Sequence, residues 1–370
     1  MSTPLPTPLP DNTSTAWSEC AAFAEAHEVP WPRDPHAQAG PGQVPFGVHQ
    51  ADPPPYNRLR GPVHARGGVS GLVLQGEREV AAWGEPDRAD LTFSVAKTYL
   101  GMLAGVAHGR GLLPDVDQPV VVRLPGIGFD SAHNRAITWR QLFEQTSEWE
   151  GDCFGLPDQV DRWRVVSHDP RPPGGRKGDA RPLQAPGTYW EYNDVRINQL
   201  ALALLHLFGK PLPDVFDEAL MRPLGASQTW RWRGYDDAWL EVGGRRMQSV
   251  PGGTHWGAGV SISARDQALL GRLLLRDGVH EGQALIPADW VRRMRQPSAM
   301  APFYGWLMWL NSSGNEFPGA SSGSSLMVGA GGNGVWIEPE FYAVVVVRWL
   351  DTAHWPGFMQ RARQALAAAI

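Results

Sequence analysis

Thr92 to Gly109 reads TFSVAKTYLGMLAGVAHG, and the rest of the chain is arranged around it. Ser94 is followed three residues later by Lys97, then by Tyr99, Leu100, Met102, Leu103 and Val106, with Ala96, Gly101, Ala104 and Gly105 between them. A helix this apolar on every face is a buried one. Ser94 is a good N-cap type, so the helix is expected to begin there. Positions i and i+3 share a helix face, which sets a hydroxyl and an amine side by side at the start of a buried helix.

A serine hydroxyl is a poor nucleophile until something takes its proton. Lysine can do so when burial disfavours its charged form; arginine cannot, because it does not deprotonate. The helix N-terminus favours negative charge developing on the oxygen. The competing reading is a cap followed by a snorkelling lysine. Lysine usage weighs against it: the chain has three lysines (Lys97, Lys177, Lys210) among 33 Lys+Arg. With 19 serines, chance predicts about 0.15 S-x-x-K occurrences.

The 370 residues suffice for one large domain or two. At 42% hydrophobic and 19% charged, the composition is that of a folded globular protein. A net charge of −5 without a long basic block argues against a nucleic-acid partner. Cys20 and Cys153 do not make a disulfide framework. The N-terminal MSTPLPTPLPDNTST has neither a basic n-region nor an apolar h-region, and no stretch has the roughly 18 apolar residues of a membrane span. A cytoplasmic protein with no membrane partner is expected.

Residues 1–13 are Pro/Ser/Thr-rich and expected to be disordered. Trp17 to His27 has helical spacing, and a Pro/Gly-rich surface segment follows to about Gly68. Gly71–Gln75 and Glu79–Trp83 read as two strands around Gly76-Glu77. Thr138–Thr146 and Asn193–Phe208 read as helices. Between them His168–Gly187 is dense in Pro, Gly and Arg, long enough to suggest a lid or binding loop. Gly334–Glu338 and Tyr342–Leu350 are strand-like, and a helix runs from His354 to Ile370. Strands and a helix at both ends predict an α+β fold: one antiparallel sheet from both termini flanked by helices (residues 14–90 and 255–370), with an inserted mainly helical domain (91–254).

Three features then occur in order: Ser94-Val95-Ala96-Lys97; Pro186-Gly187-Thr188-Tyr189-Trp190-Glu191-Tyr192-Asn193-Asp194; and Met327-Val328-Gly329-Ala330-Gly331-Gly332-Asn333. This order resembles the penicillin-recognising serine hydrolases: class C β-lactamases, D-peptidases, related carboxylesterases and 6-aminohexanoate-dimer hydrolases. The resemblance extends from about Gly71 onward and implies a β-lactamase/transpeptidase-like fold. It implies Ser94 as acyl-forming nucleophile, Lys97 as its base and Tyr192 as proton shuttle. The backbone N–H groups of Ser94 and Ala330 would form the oxyanion hole, with Gly329 beside them.

Two positions depart from the family pattern. Met327 stands where a Lys or His is usual, and a thioether cannot hold a carboxylate, so a small neutral ester or amide is expected as substrate. Asp194 stands where Asn is usual; it could cap the helix, bind a substrate amine or, if close, favour a charged Lys97. Trp149, Glu150, His255 and Trp256 are further candidates for a pocket wall. No cofactor is implied, and no His/Cys/carboxylate run has metal-ligand spacing. Gly319-Ala320-Ser321-Ser322-Gly323 matches a nucleophile elbow without its strand-turn-helix context, and Gly329–Gly334 matches G-x-G-x-x-G without a following helix. The residues thus predict a serine esterase or amidase. The alternatives are a β-lactamase or D-peptidase, and a catalytically silent binding protein on the same scaffold.

Overall fold

The computed structural model describes residues 11–43, 45–47 and 52–368. The helices that matter for the site are α1 (Asp11–Ala26), α2 (Val95–Gly109), α3 (Asp194–Phe208), α4 (Ala264–Leu275) and α5 (Trp355–Ala368). The strands are β1 (Ser70–Gln75), β2 (Arg78–Trp83), β3 (Asp90–Leu91), β4 (Arg231–Arg233), β5 (Gly259–Ile262), β6 (Trp309–Leu310), β7 (Ser325–Gly329), β8 (Asn333–Glu338) and β9 (Ala343–Arg348).

Six strands form one antiparallel sheet in the order β6-β7-β8-β9-β1-β2. The chain's two ends meet at its centre, where β1 pairs with β9 from Ser70 opposite Arg348 to Gln75 opposite Ala343. β9 (AVVVVR) is buried along its whole length, as a central strand covered on both faces must be. Side chains alternate across a strand, and the core divides accordingly. Leu72, Leu74, Met327, Val344 and Val346 join the apolar cluster of α2, α3 and α4. Val73, Val328, Val345 and Val347 join that of α1 and α5.

α2 is buried from Val95 to Ala107. Its small residues are contact points: a Cβ on Gly105 would lie 2.6 Å from the Trp290 ring, whose Nε1 donates to the Gly101 carbonyl at 2.9 Å. α3 is capped by Asn193, whose Oδ1 accepts from the N–H groups of Val195 (3.0 Å) and Arg196 (3.3 Å), and it ends at Gly209 with φ 58°. Asp194 is therefore not the cap, and its carboxylate is available to another partner.

Several expectations need correction. The first helix starts at Asp11, so residues 11–13 are helical rather than disordered; residues 1–10 lie outside the described residues. The helix foreseen over 138–146 covers only Trp139–Phe143, closed by the Thr138–Gln141 capping box. Gln145 (φ 57°) and Glu148 (φ 47°) then turn the chain away. A small sheet, β3-β5-β4, was not anticipated; its strands are two to four residues long, too short for a periodic signal.

Candidate active site

Ser94 sits at the head of α2 in helical conformation, φ −68° and ψ −6°, and its side chain makes no capping hydrogen bond. The hydroxyl is turned instead toward Lys97, whose Nζ donates to Ser94 Oγ at 2.9 Å. This overturns the reading of Ser94 as a side-chain cap. The residue before it, Phe93, has φ 50°, a costly conformation for a bulky residue unless its surroundings impose it. Trp31, Phe46 and Trp349 surround its ring at centroid distances of 5.7, 6.0 and 6.3 Å.

Across the head of α2 runs β7. A Cβ on Gly329 would lie 2.2 Å from the Thr92 carbonyl oxygen and 3.3 Å from Ser94 N, so only glycine lets the strand end approach this closely. Met327 is fully buried in the core shared with α2, α3 and α4, while its neighbour Val328 lines the cleft.

Lys97 is almost wholly buried, with 2% of its side chain accessible. Its second partner is Asp194 Oδ1 at 2.5 Å, and its Nζ lies 4.5 Å from the centroid of the Tyr192 ring. Asp194 in turn meets Arg164 through Oδ2, 2.7 Å from NH1, and its backbone N–H donates to Asp161 Oδ2 at 2.6 Å. Burial alone would raise the Asp194 carboxyl, but the charges of Arg164 and Lys97 hold it well below the usual carboxylate range. Burial likewise opposes the charge on Arg164, and Asp194 and Asp161 more than restore it.

The network continues outward. Lys177 contacts Asp52 and lies 3.3 Å from Asp161 Oδ1. His255 shares a 2.8 Å hydrogen bond with Asp52 through Nε2, and its Nδ1 stands 3.7 Å from Asp194 Oδ2. Burial pushes the imidazole down to about 3, against the Asp52 hydrogen bond and with help from Arg164 and Lys177, so it is neutral at pH 7. Asp161, Asp194 and His255 have donor atoms within 4.8 Å of one another, a proximity absent from the sequence spacing. With Asp52 added, its three carboxylates are paired with three cations, Lys97, Arg164 and Lys177, in one buried ion-pair network.

Tyr192 is fixed by a second buried network. Arg196 donates to Asp158 (2.6 Å), Glu148 (2.9 Å) and Glu191 (3.0 Å). Arg181 meets the same two glutamates at 2.7 and 2.8 Å. Asn193 is tied to Gln145 Oε1 at 2.9 Å and to the Asp158 carbonyl at 3.1 Å. Held on both sides, the Tyr192 ring stacks on Trp309 at 5.6 Å and receives Arg164 at 5.3 Å.

Ser94, Tyr192, Gly329 and Ala330 all line one cleft of about 230 Å³. Its other walls are mainly apolar or aromatic, from Trp31, Val165, Val166, Trp309 and Val328, with Ser167 and Thr352 as polar exceptions. His168 completes them, packed 4.6 Å from Phe317 and 5.3 Å from Trp355; burial pushes its imidazole down to about 4. Arg164 is the one cation on this lining, and it is committed to two carboxylates. A neighbouring cleft of similar size, across Arg164 and Val165, lacks Ser94. A larger hollow of about 490 Å³ beside Arg110 and Pro287 contains none of the motif residues.

The other candidates lie elsewhere. Asp194 and His255 are buried in the network beneath the cleft instead of on its wall. Trp149 packs away from it, its indole N–H on the Gly128 carbonyl at 3.0 Å, and Trp256 is buried against the Tyr56 carbonyl. Glu150 is exposed. Ser321 of the decoy elbow is bound to Glu338, and Gly329–Gly334 is the β7–β8 hairpin. Arg164, Asp161, Asp52, His168, Trp31 and Trp309 were missed. One usable signal was Lys177, one of three lysines, placed inside the arginine-rich loop.

A sheet drawn from both ends of the chain, with a buried serine–lysine helix packed on it, defines the β-lactamase/transpeptidase-like α+β fold. The chain belongs to the Beta-lactamase family, whose pattern it matches over residues 57–369. Among solved structures it is similar to a penicillin-binding protein homologue from Caulobacter crescentus (15% identity, all of both chains, TM-score 0.58). It is also similar to EstCE1, described as a hydrolase with promiscuous acyltransferase activity (16% identity, 80% of this chain and 93% of that one, TM-score 0.56). A third is a D-stereospecific amidohydrolase from Streptomyces (17% identity, 86% and 96%, TM-score 0.53). Among the described residues, no helix is long and apolar enough to cross a membrane.

Proposed function

We propose that this protein is a serine hydrolase that cleaves a small neutral ester or amide through an acyl-enzyme on Ser94. The observation that carries the reading is the 2.9 Å contact of Lys97 Nζ with Ser94 Oγ, at a hydroxyl relieved of capping and facing a cleft. In the reaction a neutral Lys97 takes the Ser94 proton as Oγ bonds to the substrate carbonyl carbon. The N–H groups of Ser94 and Ala330 receive the oxyanion. Collapse breaks the bond to the alcohol or amine, which leaves with a proton passed through Tyr192. Water then attacks the acyl group by the reverse relay.

The lining supports a neutral substrate. Val328 faces the cleft, Met327 does not, and Arg164 is neutralised, so no unpaired cation on the lining would offset the cost of burying a substrate carboxylate. The similar structures whose names describe a hydrolase with promiscuous acyltransferase activity and an amidohydrolase agree with this class. A cytoplasmic location and the division into a sheet domain and a helical insert from 91 to 254 belong to the same proposal. One observation favours a second reading: the 2.5 Å contact between Lys97 and Asp194 favours a charged amine. Lys97 would then orient Ser94 while Tyr192, as its phenolate, takes the proton and becomes the phenol. Turnover of p-nitrophenyl esters beside nitrocefin tests the substrate class. Ester turnover abolished by Ser94→Ala is expected; nitrocefin as the preferred substrate would reject it.

A further inference from the structure

Asp194 has two oxygens and two cationic partners. Oδ1 is 2.5 Å from Lys97 Nζ and Oδ2 is 2.7 Å from Arg164 NH1. All three groups are withdrawn from solvent, with side-chain exposures of 1% for Asp194, 2% for Lys97 and 9% for Arg164. A lone carboxylate at 2.5 Å would hold the proton on a buried lysine and spoil it as a base, whereas a carboxylate shared with a second cation holds it less firmly.

We propose that Arg164 is a positioning residue for the reaction: by occupying Asp194 Oδ2 it sets how firmly Asp194 keeps the proton on Lys97. The inference rests on the reading of Lys97 as base. Arg164 does not reach Ser94 or Lys97 by any hydrogen bond; it acts through Asp194. It is itself placed by Asp161, 3.2 Å from NH1, and by the Tyr192 ring.

The other groups around Lys97 do not compensate for its loss. On its own helix lies Ser94, and the ring of Tyr192 stands 4.5 Å from its Nζ. From the 252–257 loop comes neutral His255, 3.7 Å from Asp194. Tyr235 and Tyr304 are buried phenols that burial and the charge of Asp194 keep protonated. Lys177 and Asp52 pair with each other and with Asp161 or His255. Arg164 is thus the cation placed directly against the oxygen of Asp194 that Lys97 does not occupy.

Because the chain has three lysines, ε-13C-lysine NMR resolves Lys97 directly, with Lys177→Arg and Lys210→Arg assigning the others. Arg164→Gln should raise the Lys97 titration midpoint by about one pH unit, and Asp194→Asn should lower it by a similar amount. The acid limb of kcat/KM should move the same way, giving about a tenfold loss at fixed pH on that limb for Arg164→Gln. Should Arg164→Gln fail to fold, Asp194→Asn compared with Asp194→Asn/Arg164→Gln carries the test: with the shared carboxylate gone, removing Arg164 should leave the midpoint unchanged, and a midpoint that rises there would show Arg164 acting on Lys97 directly and overturn the inference. In the two single variants, midpoints that shift in one common direction, or not at all, overturn the inference. The NMR readout is independent of turnover. Shifted midpoints in a protein without ester activity would sustain the coupling and reject the hydrolase, while unshifted midpoints in an active enzyme would reject the coupling alone.

Discussion

Gly329 stands so close to Thr92 that a Cβ on it would come within 2.2 Å of the Thr92 carbonyl oxygen. The strand end bearing Ala330 is thereby pressed against the head of the helix bearing Ser94. Gly329→Ala must push the two apart, and a shift of about 1 Å at such a site costs on the order of 100-fold in rate. We expect kcat/KM on a p-nitrophenyl ester to fall by about that factor while the circular dichroism spectrum is retained. Near-normal turnover in this variant would refute the oxyanion placement.

Tyr192 is the next group to test. Its ring lies between Lys97, Arg164 and Trp309, so Tyr192→Phe keeps the packing and removes only the hydroxyl. A proton shuttle contributes about 10²–10⁴-fold. Single-turnover kinetics should show a loss of that size in acylation or deacylation; a change of less than about threefold would remove Tyr192 from the chemistry.

The buried charges should govern stability very unequally. Arg196 is 1% exposed and satisfies Glu148, Asp158 and Glu191 together. Arg196→Met leaves buried carboxylates short of a partner, a loss of about 3–5 kcal/mol or outright failure to fold. Lys210 pairs with Glu218 in the open, at 37% and 43% exposure, and Lys210→Ala should leave the urea midpoint close to that of the parent protein. Urea denaturation of the two variants distinguishes these outcomes.

Stability should fall on mild acidification. His168 and His255 have folded values depressed to about 4 and about 3 from an ordinary 6.5. Below 6.5 the unfolded chain therefore binds protons that the folded chain refuses, so stability is full above about pH 6.5 and declines as pH drops toward 4. The anionic Asp194 acts in the same direction at lower pH, as its stabilisation is lost when pH falls below the usual carboxylate range. His168→Phe, which keeps an aromatic ring between Phe317 and Trp355, should flatten the slope between pH 4 and 6.5 in a thermal-melt series. An unchanged slope would contradict the depressed, neutral imidazole of His168.

These residues also show what could be read without coordinates. Ser94, Lys97, Tyr192, Gly329 and Ala330 are carried by three local patterns, and one cleft receives four of the five with Lys97 beneath it. Of the six sheet strands, β1, β2, β8 and β9 were legible because the apolar run of β9 and the β1–β2 turn are local too, whereas β6 and β7 were not given as strands. Asp52, Asp161, Lys177, Asp194 and His255 come from five separate stretches and converge only through loop packing. No periodicity records such a meeting, and charged residues in a Pro/Gly-rich loop resemble a solvated surface. Trp149 misled for the opposite reason, because a tryptophan in a motif-like stretch serves a core as readily as a pocket.

The central claim is that Ser94 Oγ becomes the acyl carrier. Intact-mass spectrometry after exposure to an ester panel or a fluorophosphonate tests it most directly. The account predicts one added acyl or phosphonyl group, mapped to the peptide containing Ser94 and absent from Ser94→Ala. An unmodified Ser94 in folded protein that turns over the ester, or an adduct on any other residue, would contradict it.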